Sequence, residues 1–119
     1  MQIESQMAEA LGRYLDLATS EIKLTAANMA NIDTPGYKAI GLDFEAEMKQ
    51  ALGDVGKGNP ARPPRVRVVD GLVARPDGND VSMDRESLNL AEAQLKFKVG
   101  VGLLHVENQR IMDAIKAGG

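Results

Sequence analysis

Apolar and small residues recur at Leu11, Tyr14, Ala18, Ile22, Thr25, Met29 and Ile32, in steps of three or four. That spacing winds a narrow seam along one helix face and predicts an amphipathic helix of about seven turns from Met7 onward. Its end is written locally. Pro35 biases Thr34 away from the helical region, and Pro35-Gly36 suit the two central positions of a type II turn, so the chain should turn sharply at Tyr37. A shorter helix follows, with Asp43 as N-cap, Phe44, Met48, Ala51 and Leu52 on one face, and Gly53 as its stop.

Residues 53–64 hold three glycines and three prolines and almost no large apolar group, which predicts a mobile loop. Two β-branched runs, 65–69 and 72–75, flank Asp70-Gly71, a pair that tolerates the positive φ of a two-residue turn. They predict a hairpin over 65–75, with Val69 facing Leu72 and Val68 facing Val73. A lone ribbon of that size needs a surface to pack on. After a turn at Asp77-Gly78-Asn79, Asp84 stands as N-cap of a last helix running from Arg85 to Lys116, with Glu86 in its first turn. Here the pattern is broader: Leu88, Leu95, Val99 and Val106 form one stripe, and Phe97, Val101, Leu104, Ile111 and Ile115 form a second, rotated from it. Gly100 and Gly102 weaken this helix but admit close approach of another backbone. One narrow seam cannot hold so long an N-terminal helix, so the terminal helices must pack on each other, on neighbouring molecules, or on both.

Length and composition restrict the rest. A chain of 119 residues favours one domain, divided here into an N-terminal helix and turn (1–36), a middle region (37–83) and a C-terminal helix (84–119). Only Tyr14, Tyr37, Phe44 and Phe97 are aromatic, so the core must be aliphatic. A net charge of −3 gives no support to nucleic-acid binding. Without cysteine there is no disulfide framework or thiol chemistry. The most apolar stretch, 99–106, falls far short of the roughly 18 residues of a membrane span. The polar N-terminus does not read as a secretory signal, and no repeat of solenoid length is present.

Candidate chemistry fails on spacing. The run Gly53-Asp54-Val55-Gly56-Lys57-Gly58 lacks the leading glycine and trailing hydroxyl of a phosphate loop. Residues 77–81 put Val81 where calcium needs a ligand and read as a plain turn. His105 has no second imidazole nearby in sequence, which suits a surface or interface position better than a metal or a base. Lys57, Arg62, Arg65 and Arg67 beside Pro60, Pro63 and Pro64 could dock an acidic partner or simply be solvated. No serine or threonine is paired with a base and an orienting acid. We therefore expect no catalytic, cofactor-binding or metal-binding residues, no small-molecule substrate, and no enzyme; a carboxylate-pair hydrolase would need convergent acids that the sequence does not reveal.

The helix end Ala27-Asn28-Met29-Ala30-Asn31-Ile32-Asp33-Thr34-Pro35-Gly36-Tyr37-Lys38 resembles the N-terminal signature of the bacterial flagellar axial proteins, the rod, hook and hook-junction family. Leu42-Asp43-Phe44-Glu45-Ala46-Glu47-Met48 is similar to the segment after that signature in the family's proximal rod branch. So is the stretch Gly78-Asn79-Asp80-Val81-Ser82-Met83-Asp84-Arg85-Glu86, continued by Leu90-Ala91-Glu92-Ala93-Gln94-Leu95-Lys96-Phe97.

The resemblance implies a mainly α subunit whose two long terminal helices pair as an antiparallel coiled coil, with a short helix and a hairpin in the middle region. It implies polymerisation into the rod of the basal body in the periplasm, after passage through the flagellar type III export apparatus. The partners implied are the chain itself, other flagellar rod proteins and the membrane-ring base. On this reading Tyr14, Ile22, Met29, Leu95, Val99, Leu103 and Val106 serve helix pairing or subunit contact. Asn28, Asn31, Thr34, Pro35, Gly36 and Tyr37 fix the exit turn by capping helix carbonyls and setting backbone angles. The alternative is a small helical type III secretion chaperone or adaptor, which would hold one partner helix in a closed complex.

Overall fold

The computed structural model describes residues 5–118; residues 1–4 and 119, the outermost parts of the two terminal segments, lie outside it. Three helices and two short strands follow in the order α1 (Gln6–Ala30), β1 (Ile40–Gly41), α2 (Phe44–Asp54), β2 (Arg67–Val68) and α3 (Met83–Gly118). The molecule is mainly helical and elongated, 67 × 24 × 18 Å, because the 25-residue α1 and the 36-residue α3 lie antiparallel along each other. Ser5 sits opposite Glu107 at one end of the pair and Asn28 opposite Glu86 at the other. Between them Lys96 reaches Glu21 at 3.0 Å. No described helix is long and apolar enough to cross a membrane.

Each helix start has a local cause. The Ser5 hydroxyl accepts from the Ala8 amide at 2.9 Å and caps α1, with Glu9 in the first turn. Asp43 caps α2 in the same way through the Ala46 amide at 3.1 Å. For α3 the cap is Ser82, whose hydroxyl accepts from Arg85, so the helix begins two residues earlier than expected and Asp84 falls within the first turn. A glycine stops α2 only weakly: the helix passes Gly53 to Asp54, and the chain reverses at Gly56 and Gly58, both at positive φ.

The pairing seam of α1 runs through Leu11, Ala18 and Thr25, seven residues apart, with Ala8 and Asn28 also buried, while Leu17 is buried beside the groove toward α2. On α3 the buried positions are Glu86, Ala93, Gly100 and Glu107, also spaced by seven, as expected of two helices sharing a heptad seam. The α3 residues expected to serve helix pairing or subunit contact do not sit on this seam. Leu95, Val99, Leu103 and Val106 are 63, 47, 52 and 64% exposed and lie off the seam. The physical reason is size. A Cβ on Gly100 would come within 2.7 Å of Leu15 Cδ2 and 3.1 Å of Tyr14 Cδ2, so α1 approaches α3 where side chains are small and leaves the Leu/Val stripe outside. Tyr14 packs edge-on against Phe44 of α2 at 5.4 Å, and Ile22 and Met29 are half-buried.

The hairpin expected over 65–75 does not form. β2 pairs antiparallel with β1 instead, Ile40 opposite Val68 and Gly41 opposite Arg67, and the Val69 amide extends the contact to the Ala39 carbonyl at 3.0 Å. Asp70-Gly71 still turns, with Gly71 at φ +80°, but Val73 beyond it is left 91% exposed. β1 is the better partner because α1 already holds it, and a ribbon anchored to a helix outcompetes a free one. Residues 53–64, expected as a mobile loop, are tied at Gly56 to Glu9, at Asn59 to Arg13 and at Arg62 to Asp54.

Candidate functional site

The region with the most buried polar chemistry lies where α1 ends. Asn28, 1% exposed, uses its whole side-chain capacity: Nδ2 donates to the Ile40 carbonyl and to Glu86 Oε1, both at 2.8 Å. Its Oδ1 accepts from the Ile40 amide and the Tyr37 hydroxyl, both at 3.0 Å. The amide thus pairs with both backbone groups of Ile40, as a neighbouring strand would, and ties α1 to β1 and α3 together. Glu86, also 1% exposed, is held on its other oxygen by Arg85 at 2.7 Å. Burial, and then the nearby Glu86 charge, push the Tyr37 phenol above its ordinary pKa, so the hydroxyl stays a donor.

Asn31 closes the helix. Its backbone amide donates to Ala27 and Asn28, its side chain donates to the Ala27 carbonyl at 2.8 Å, and its Oδ1 accepts from the Thr34 hydroxyl. Pro35 and Gly36 then carry the reversal: Gly36 has φ +76° and the Tyr37 amide donates to the Thr34 carbonyl at 3.2 Å.

What sequence reading did not assign is the other half of the joint. Asn79, fully buried, donates through Nδ2 to the carbonyls of Asn31, Ile32 and Thr34, and its Oδ1 accepts from the Val81 amide at 2.8 Å. Arg75 bonds the Ile32 and Val81 carbonyls. Asp80 accepts from the Ala39 amide at 2.7 Å, and the Gly36 amide donates to Asp77. Gly36 and Gly78 pass so closely that a Cβ on Gly78 would sit 3.4 Å from the Gly36 Cα. The turn at 77–81 is therefore a clasp on the end of α1. No signal local to either segment could have found it, because Asn79 meets carbonyls 45 to 48 residues upstream.

A second polar tie holds the opposite end. Glu107 accepts from Ser5 at 3.0 Å and from Arg110 at 2.6 Å, and the Arg110 hydrogen bond, ahead of that from Ser5, draws its carboxyl below the ordinary pKa. Among the described residues every buried side-chain nitrogen or oxygen has a partner. Groups so fully engaged hold geometry; they offer no free base, nucleophile or ligand.

Two paired helices, locked at both ends by saturated polar joints and carrying an uncovered apolar stripe, define an elongated structural subunit. Comparison with known proteins gives the particular family. The chain is 33% identical over 122 residues to the flagellar basal body rod protein FlgB of Salmonella typhimurium, covering 87% of this chain and 88% of the relative. It is 32% identical over 112 residues to the FlgB of Cereibacter sphaeroides, with 86% and 88% covered, and 29% identical over 125 residues to that of Escherichia coli, with 87% and 88% covered. No protein-family model matches. The chain belongs to the FlgB family of flagellar basal body rod proteins, a structural and not an enzymatic family.

Proposed function

We propose that this chain polymerises through its terminal helices to build the proximal rod of the basal body, alongside other rod proteins and on the membrane-ring base, reaching the periplasm through the flagellar export apparatus. The observation that carries the polymerisation reading is the apolar stripe of α3. Leu88, Leu95, Val99, Leu103 and Val106 are each about half exposed or more, though they run beside a well-formed helix pair. Covering each such side chain contributes roughly 1 kcal/mol, so a row of them favours lateral contact repeated over many copies. A contact between unlike surfaces of one subunit, repeated without closure, generates a filament. Tyr14, Ile22 and Met29 serve the intramolecular pairing in this reading, and the clasp around Asn28 holds the angle at which the middle region leaves the helices.

The test compares the full chain with Leu95→Asp/Val99→Asp by sedimentation velocity over a concentration series. Wild type is expected to form larger species as concentration rises, while the variant stays monomeric with unchanged helix content by circular dichroism. Identical sedimentation of the two, or full motility in cells carrying only the variant, overturns the reading. A closed dimer that grows no further would favour the chaperone alternative instead.

A further inference from the structure

The segment between α2 and β2 is held to α2 mainly by ion pairs, with two further hydrogen bonds to α1, from the Gly56 amide to Glu9 and from Arg13 to the Asn59 carbonyl. Residues 56–63 are all exposed, so no buried side chain anchors them. Instead the chain runs back antiparallel to α2 and meets its acidic residues in turn: Arg62 with Asp54 at 3.3 Å, Arg65 with Glu47 at 3.5 Å and Arg67 with Asp43 at 3.9 Å. The two spacings match. Seven helical residues from Glu47 to Asp54 rise about 10 Å, and three extended residues from Arg62 to Arg65, stiffened by Pro63 and Pro64, span about 9 Å. Four helical residues from Asp43 to Glu47 likewise rise about 6 Å, close to the two-residue extended step from Arg65 to Arg67. Beneath the segment lies a cavity of about 330 Å³ between α1 and α2, with Leu17, Ser20 and Ala51 on its floor and Pro63 and Pro64 on its rim.

We propose that residues 56–66 form an electrostatic strap, hinged at Gly56 and Gly58 and at β2, that closes the groove between α1 and α2 at low ionic strength and opens as a unit when its charges are screened. The three arginine side chains are 63, 80 and 65% exposed, so the cationic half of each pair is open to screening by salt, while Glu47, 9% exposed, is the least screened of the acidic partners. The seam between α1 and α3 is packed and responds far less. Opening uncovers the groove and frees the arginines as one cationic row.

Hydrogen exchange on the full chain tests this, read by NMR at the Arg65 amide, which donates to Glu47 Oε1 at 2.9 Å, and at α1 seam amides as an internal control. Rates are normalised to an unstructured peptide of the same sequence. Raising NaCl from about 0.02 M to about 1 M should speed Arg65 exchange about tenfold while the α1 amides hold. Glu47→Gln/Asp54→Asn, which keeps an oxygen for the Arg65 amide but removes both charges, should exchange fast already at low salt and respond little to more. The strap is refuted if Arg65 ignores salt, if it moves only together with the α1 amides, or if the double variant stays slow and salt-sensitive.

Discussion

Replacing Asn28 separates what its hydrogen bonds contribute from what its neutrality contributes. Asn28→Ala strips partners from the Ile40 amide and carbonyl, the Tyr37 hydroxyl and one Glu86 oxygen at a stroke. A buried group left unmet costs about 1–3 kcal/mol, but Glu86 keeps Arg85 and water can enter the vacated space, so the expected net loss is about 3–4 kcal/mol. Asn28→Asp has nearly the same shape and keeps the acceptor for Ile40 and Tyr37. It also turns the two donors into a carboxylate oxygen facing the Ile40 carbonyl and the Glu86 carboxylate, where the native contacts are 2.8 Å. Two carboxylates sharing a site cannot both ionise freely, so the introduced acid has its folded pKa raised above its unfolded value.

The sign follows from linkage. Well below about pH 4 the new acid is protonated in both states and the deficit relative to wild type is smallest, and at about pH 4 it has only begun to grow. As pH rises toward the raised folded pKa, only the unfolded state releases the proton, and the deficit grows by up to about 1.4 kcal/mol per pH unit until that pKa is passed. Urea unfolding followed by far-UV circular dichroism at about pH 4 and about pH 7.5 measures both variants against wild type. A cost for Asn28→Ala below about 1 kcal/mol, or an Asn28→Asp deficit equal at the two pH values, would refute this role for Asn28.

Two further outcomes follow from the joints. Gly36→Ala should cost about 1–2 kcal/mol through its positive φ alone, since no atom outside its immediate chain neighbours lies within 4 Å of the added Cβ. Gly36→Asn should cost less, and equal losses in urea titrations would mean that something other than φ governs the site. Glu107, whose carboxyl is lowered chiefly by Arg110, supports the folded state above the ordinary carboxylate pKa, and that support is lost as pH falls through the lowered value. Thermal melts from about pH 5 to about pH 3 should therefore fall more steeply for wild type than for Glu107→Gln, and parallel curves would count against the tie to Ser5 and Arg110.

The helices, their order and the family were legible because each rests on neighbours in sequence: a three-to-four spacing for α1, an aspartate before Phe44 for α2, a polar signature spanning 27–38. Exit-turn geometry is local in the same sense, since Pro35 acts on Thr34 and a positive φ suits Gly36. The clasp was not legible. Asn79 satisfies carbonyls 45 to 48 residues upstream, and nothing adjacent to it records where those carbonyls will be.

By itself, then, the amino-acid order determined where the chain coils, where it turns and that its two ends carry more apolar surface than one seam can hide. Tertiary structure alone decided which surface went inward and which strands met. Of the stripes on α3, neither forms the seam, because Ala93 and Gly100 let two backbones approach where leucine would hold them apart. Val68 pairs with Ile40 and not with Val73, and Ile40 is the strand residue that Asn28 holds in place. Such outcomes are competitions between distant segments for the same backbone groups and the same space, and they are resolved only when the whole chain is folded.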